Sequence, residues 1–121
     1  MNYTLQHIYL TSLTLLLIVF SGKAQTASNP IIYADVPDMS MIRVGNNYYM
    51  SSTTMHLSPG IPIMKSNDLI NWWIVGYAYD TLENNDAMNL NNGKNAYGNG
   101  SWASSLRYHK GLFYVSTFSS T

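Results

Sequence analysis

The segment Ala34-Asp35-Val36-Pro37-Asp38-Met39-Ser40-Met41-Ile42-Arg43-Val44-Gly45-Asn46-Asn47-Tyr48-Tyr49-Met50 decides the fold class. Two β-forming runs, Ser40 to Val44 and Tyr48 to Thr53, flank Gly45-Asn46-Asn47. Those turn residues tolerate positive φ, so the pattern predicts a hairpin with a physical cause. Asp38 stands immediately before the first strand, where a rigid backbone can hold its carboxylate. Downstream, Ile61 to Lys65 and Trp72 to Gly76 predict a second antiparallel pair joined at Ser66-Asn67-Asp68. Four consecutive strands in a meander result, and beyond the N-terminal apolar run no helical period is sustained.

The pattern recurs. Leu106-Arg107-Tyr108 answers to Ile42-Arg43-Val44, and Phe113-Tyr114-Val115 to Tyr48-Tyr49-Met50, at an interval of about 64 residues. An Asn- and Gly-rich stretch, Asp80 to Gly100, lengthens that interval and reads as a solvated connection. It carries Asp80, Glu83 and Asp86 without the alternating oxygen-ligand spacing of a calcium loop, so no metal site is predicted in it. Repeated hairpins point to radial blades; a β-sandwich with two similar hairpins is the alternative. Arg43 and Arg107 take equivalent places in the repeat, which predicts a structural role in each blade.

Composition narrows the partners. Six basic and six acidic side chains cancel, and no basic cluster interleaves with aromatics, so nucleic acid and anionic membranes have no electrostatic support. A neutral ligand fits better. Aromatic residues (13%) outnumber charged ones (10%), as on surfaces that stack on sugar rings, although most such side chains are assigned to sheet cores. Strand alternation puts Trp72 and Trp73 on opposite faces, so at least one is expected in a core. The chain has no cysteine, which removes disulfide, thiolate-metal and Cys-nucleophile chemistry.

At the N-terminus, Ile8 to Phe20 is an apolar run too short to span a bilayer comfortably, followed by Ser21-Gly22-Lys23-Ala24-Gln25. Residues 1–24 are therefore read as a secretory signal peptide cut near Ala24, giving a secreted or periplasmic product with no membrane span after cleavage. No Lys or Arg precedes Lys23, and an uncleaved anchor is the alternative. Without a Cys after the run, lipoprotein modification is unavailable.

From about Asn29 to the last residue the chain resembles glycoside hydrolase family 43, the five-bladed propeller β-xylosidases and α-L-arabinofuranosidases. Pro37-Asp38-Met39-Ser40 followed by Ile42-Arg43-Val44-Gly45 lines up with the family's Pro-Asp-Pro-Ser type motif, and Trp102-Ala103 with the pair that opens its second blade. The resemblance implies an all-β fold, the first one and a half blades of a five-bladed β-propeller, over residues 25–121. A five-bladed ring needs far more chain than 121 residues, so the sequence is expected to be the N-terminal part of a longer protein.

By the same resemblance Asp38 is the general base of an inverting hydrolysis of xylosidic or arabinofuranosidic linkages in plant polysaccharides. In such chemistry one carboxylate deprotonates the attacking water while a protonated acid, roughly 6.5–9.5 Å away, serves the leaving oxygen. The family's Glu acid and orienting Asp belong to later blades, and none of Asp68, Asp80, Glu83 or Asp86 sits in a matching motif, so the fragment alone is expected to be inactive. A lone Asp before a strand is ordinarily a turn or capping residue; the surrounding motif is what raises Asp38 above that. Asp35, beyond a Pro that enforces extended geometry, is not expected to share its cavity.

Trp102, Met55 and His56 are the substrate-contact candidates that the resemblance implies. Trp102 would pack against the sugar, its rival role being a buried blade-to-blade Trp; a single loop His is more often solvated. Two departures stand out. Met39 occupies a place where the family commonly has Pro, whose ring helps aim the preceding carboxylate, and Ser104 one where many relatives have Pro. The fragment implies no cofactor and no metal; an axial calcium belongs, if anywhere, to the complete propeller. The expected partner is a xylo- or arabino-oligosaccharide, and rival classes are a non-catalytic carbohydrate-binding protein and a cell-surface β-repeat protein.

Overall fold

The computed structural model describes residues 3–19, 25–55 and 58–119. A helix, α1 (Tyr3–Val19), precedes six strands: β1 (Ser40–Val44), β2 (Asn47–Ser51), β3 (Gly60–Ser66), β4 (Trp73–Tyr79), β5 (Ser105–His109) and β6 (Leu112–Ser116). The first four form one antiparallel sheet in the order β1-β2-β3-β4, and β5-β6 form a separate hairpin. Among the described residues no helix is long and apolar enough to cross a membrane. The cleavage point near Ala24 lies outside the described residues.

Both hairpins are closed by two-residue turns of different chemistry. In the first, Gly45 takes φ 60 while Asn46 is not in the positive region, the pattern of a type II′ turn with Gly at its first position. In the second, Lys110 (φ 48) and Gly111 (φ 85) are both left-handed, as type I′ requires. The first turn is thus shorter than Gly45-Asn46-Asn47, because Asn47 already pairs with Val44. Aligned on the closing pairs Val44↔Asn47 and His109↔Leu112, Arg107 falls at the place of Ile42, not of Arg43. The two arginines are therefore not equivalent: a one-residue slip reverses the face. Arg43 Nε donates to Gly45 O at 3.0 Å, an Arg107 guanidinium nitrogen donates to Leu106 O at 2.8 Å, and both serve the local backbone.

The β3–β4 connection is longer than the turn expected at Ser66-Asn67-Asp68 and is organised by Asp68. Its Oδ1 accepts from the backbone N–H of Ile70 (2.9 Å) and of Asn71 (2.8 Å), and its Oδ2 from the Asn71 amide at 2.7 Å. These donors, the Asn71 backbone N–H foremost, hold the Asp68 carboxyl well below the usual carboxylate range. This explains its presence without any catalytic role.

Cross-strand rows show where the core sits. Met41, Met50, Met64 and Ile74 lie opposite one another across the four strands, with Met50 (1%) and Met64 (3%) buried and the outer members exposed. On the other face β5 packs over β1 and β2. Leu106 is fully buried there and Tyr49 meets Phe113 at 4.6 Å. This seam is partly polar: Ser104 Oγ donates to Ser51 Oγ at 2.7 Å, and the Leu106 N–H donates to Ser40 Oγ at 3.1 Å. Ser104 thus makes an interblade contact that a proline side chain could not.

The expectation that Trp72 or Trp73 is core fails. Trp72 is half-buried and Trp73 is 53% exposed, with Ile74, Val75 and Tyr77 exposed beside it. Trp72 precedes β4, which ends the sheet, and the second hairpin packs mainly on β1 and β2. The core is accordingly built from Met, Ile, Leu and Ser more than from aromatic rings. The Asp80–Gly100 connection is also not wholly solvated, since Met88 (3%) and Ala96 (5%) are buried.

Candidate active site

Asp38 precedes β1 with a left-handed backbone, φ 52. Asp is among the few residues that visit this region, at a cost of roughly 1–2 kcal/mol for an L-residue, so surrounding contacts must hold it there. Those contacts come from the end of β2. Ser52 Oγ donates to Pro37 O at 2.7 Å and the Thr53 N–H donates to the same oxygen at 3.1 Å. Thr53 Oγ1 then donates to Asp38 Oδ2 at 3.0 Å. Ser52 and Thr53 are buried while Asp38 is exposed, so rigid donors present a carboxylate to solvent. Among the described residues Oδ1 has no donor, leaving one oxygen anchored and the other open.

The next residue brings in the second unit. Thr54 and Ser101 form an antiparallel bridge, with Thr54 N–H to Ser101 O at 2.9 Å and Ser101 N–H to Thr54 O at 2.8 Å. Gly100 permits that approach, because a Cβ there would collide with the Thr54 carbonyl and the Met55 backbone. Ser101 is held further by Tyr79, whose hydroxyl lies 2.7 Å from Ser101 Oγ, and by a bridge to Ser119. Trp102 follows directly, its N–H donating to Phe118 O at 2.9 Å and its side chain half-buried. The bridge therefore sets the Trp102 backbone beside residues 53–55, which carry the Asp38 anchor and the half-buried Met55. His56 lies outside the described residues.

A cleft of about 580 Å³ opens between residues 32–37 and the β3–β4 face, with Asp35, Thr53, Met55, Trp72, Tyr77 and Tyr97 in its wall. Neither Asp38 nor Trp102 lines it. Its floor, Pro62, Met64 and Ile74, belongs to the sheet face opposite β5, the face that a further blade would cover in a ring. Among the described residues no three His, Asp or Glu side chains gather as a metal site.

The positioning role of Ser52 and Thr53 is not apparent from sequence. The only signal is a hydroxyl run, Ser51-Ser52-Thr53-Thr54, at the end of a strand, and such runs are common.

Comparisons with known proteins agree in direction. Residues 27–120 match the family described as glycosyl hydrolases family 43. The chain is 40% identical over 103 residues to a β-xylosidase of Formosa agariphila, covering 77% of this chain and 17% of that protein. It is 43% identical over 91 residues to a non-reducing end α-L-arabinofuranosidase of Bacteroides ovatus, covering 75% of this chain and 16% of that one. Among solved structures, a bifunctional GH43-CE protein of Bacteroides eggerthii superposes with a TM-score of 0.72 at 69% identity, over 82% of this chain and 13% of that chain. The chain thus spans about a sixth of the length of the curated relatives it matches.

Proposed function

This chain belongs to family 43 of the glycosyl hydrolases, and on that premise we propose that it contributes the general base, Asp38, to an inverting hydrolysis of xylosidic or arabinofuranosidic linkages in plant polysaccharides. Its sheet is the first blade of the family's five-bladed propeller, and β5–β6 are half of the second. The observation that carries the proposal is the anchored carboxylate: Thr53 occupies Oδ2 at 3.0 Å and leaves Oδ1 open.

In the reaction, Oδ1 takes a proton from a water as that water attacks the anomeric carbon. The new carbon–oxygen bond forms opposite the breaking glycosidic bond, and an acid from another blade protonates the departing oxygen. Anchoring one oxygen keeps the accepting lone pair aimed without occupying it. Trp102 supplies flat apolar surface for the sugar ring, and Met55 and His56 are the further substrate contacts of this reading. None of Asp68, Asp80, Glu83 or Asp86 sits in a matching acid motif, so this chain alone is expected to hydrolyse nothing. Residues 1–24 act as a secretory leader, which N-terminal sequencing of the exported product tests.

The deciding experiment is Asp38→Asn in the complete enzyme. Turnover of aryl xylosides and arabinofuranosides should fall by about 10²–10⁴ or more, the range for a general base, while product affinity holds. Retained turnover would move the base elsewhere, with Asp35 the first suspect. Sugar binding by the unsubstituted complete chain without any turnover would favour the carbohydrate-binding reading.

A further inference from the structure

We propose that Thr53 is the positioning residue for Asp38, and that with Ser52 it holds both the backbone leading into Asp38 and the carboxylate itself. The inference rests on the reading of Asp38 as the base. Three observations converge. Asp38 sits at φ 52, a conformation that persists only when neighbours over-determine it. The carbonyl of the peptide leading into it accepts two hydrogen bonds, from Ser52 Oγ at 2.7 Å and from the Thr53 N–H at 3.1 Å. The carboxylate receives a third, from Thr53 Oγ1 at 3.0 Å.

Thr53 therefore grips Asp38 twice, through the peptide plane before it and through its side chain. Its own mobility is small, because it is 5% exposed and adjoins the Thr54↔Ser101 bridge. Met39, 56% exposed, contributes no comparable restraint. The two grips act on different degrees of freedom: the backbone bonds fix where the Asp38 Cα lies, and the hydroxyl fixes which oxygen faces the water. Removing only the hydroxyl leaves the first and releases the second.

Thr53→Val in the complete enzyme is the direct test, since it keeps the branched shape and the backbone N–H. Freed rotation of the carboxylate should lower kcat about a hundredfold, the scale of a misplaced reacting group, with KM within about twofold. Thr53→Ser, which returns the hydroxyl, should recover most of that rate. Should the valine variant fail to fold, Thr53→Ala removes the hydroxyl without adding atoms and reads the same loss. A fall in thermal stability with kcat unchanged would overturn the positioning role and leave Thr53 structural. Asp38→Asn run beside these separates the two proposals. If Asp38→Asn abolishes turnover and Thr53→Val does not, only the positioning role falls; if Asp38→Asn is active, the base assignment falls and takes this one with it.

Discussion

Replacing Leu106 by alanine tests whether the second hairpin is docked by burial. Leu106 is fully buried, pairs with Val115, and sends its N–H to Ser40 Oγ at 3.1 Å, so it sits where β5 meets the first blade. Buried Leu→Ala changes cost about 2–5 kcal/mol, the spread depending on how far the site can collapse. Beside Leu106 runs an open groove of about 240 Å³ walled by Tyr49, Ile63, Val75, Phe113 and Val115. Neighbours and water can enter it, which places the loss in the lower half, about 2–3 kcal/mol. A urea titration reads the total as a lower midpoint at constant slope. Native-state hydrogen exchange should show the loss in the β5 and β6 amides. Leu106→Met, close in volume, should cost less than about 1.5 kcal/mol. A change below about 0.5 kcal/mol for the alanine variant, the size of an ordinary surface substitution, would refute the docking role.

Gly100→Ala should break the Thr54↔Ser101 bridge, since the added methyl meets backbone rather than a movable side chain. A loss of about 1–3 kcal/mol in thermal or urea unfolding is expected, as for other overpacked sites. Trp102→Ala in the complete enzyme should weaken sugar binding and lower turnover together, read by inhibitor affinity and kcat; a fall in melting temperature alone would make Trp102 a core residue. Asp68, its pKa depressed by the Asn71 and Ile70 donors from an ordinary 3.8, contributes stability that is present above that value and lost as pH falls through the lower folded value. The stability gap between the wild type and Asp68→Asn should therefore be full near neutrality and shrink progressively below about pH 4, measured by urea midpoints across pH.

Much of this protein follows from local sequence. Gly45-Asn46 and Lys110-Gly111 close two tight hairpins, with Gly45 and Gly111 supplying left-handed backbone at little cost, and alternation on either side sets the strands. The Pro37-Asp38 motif singles out one carboxylate from six acidic residues. Other features depended on which element packs against which. Arg43 and Arg107 look equivalent by their neighbours, yet the register set by their closing pairs puts them one residue apart and so on opposite faces. Trp73 has the composition of a core residue but lies exposed at the start of the end strand, while the second hairpin packs mainly on β1 and β2. Thr53 belongs to an ordinary hydroxyl run, and becomes the partner of Asp38 only when β2 folds back along β1 and closes a separation of fifteen residues. Strand and turn identity are settled by each residue's own backbone preferences over a few positions, whereas burial and the aim of a carboxylate are properties of pairs distant in sequence, which exist only once the sheet has formed.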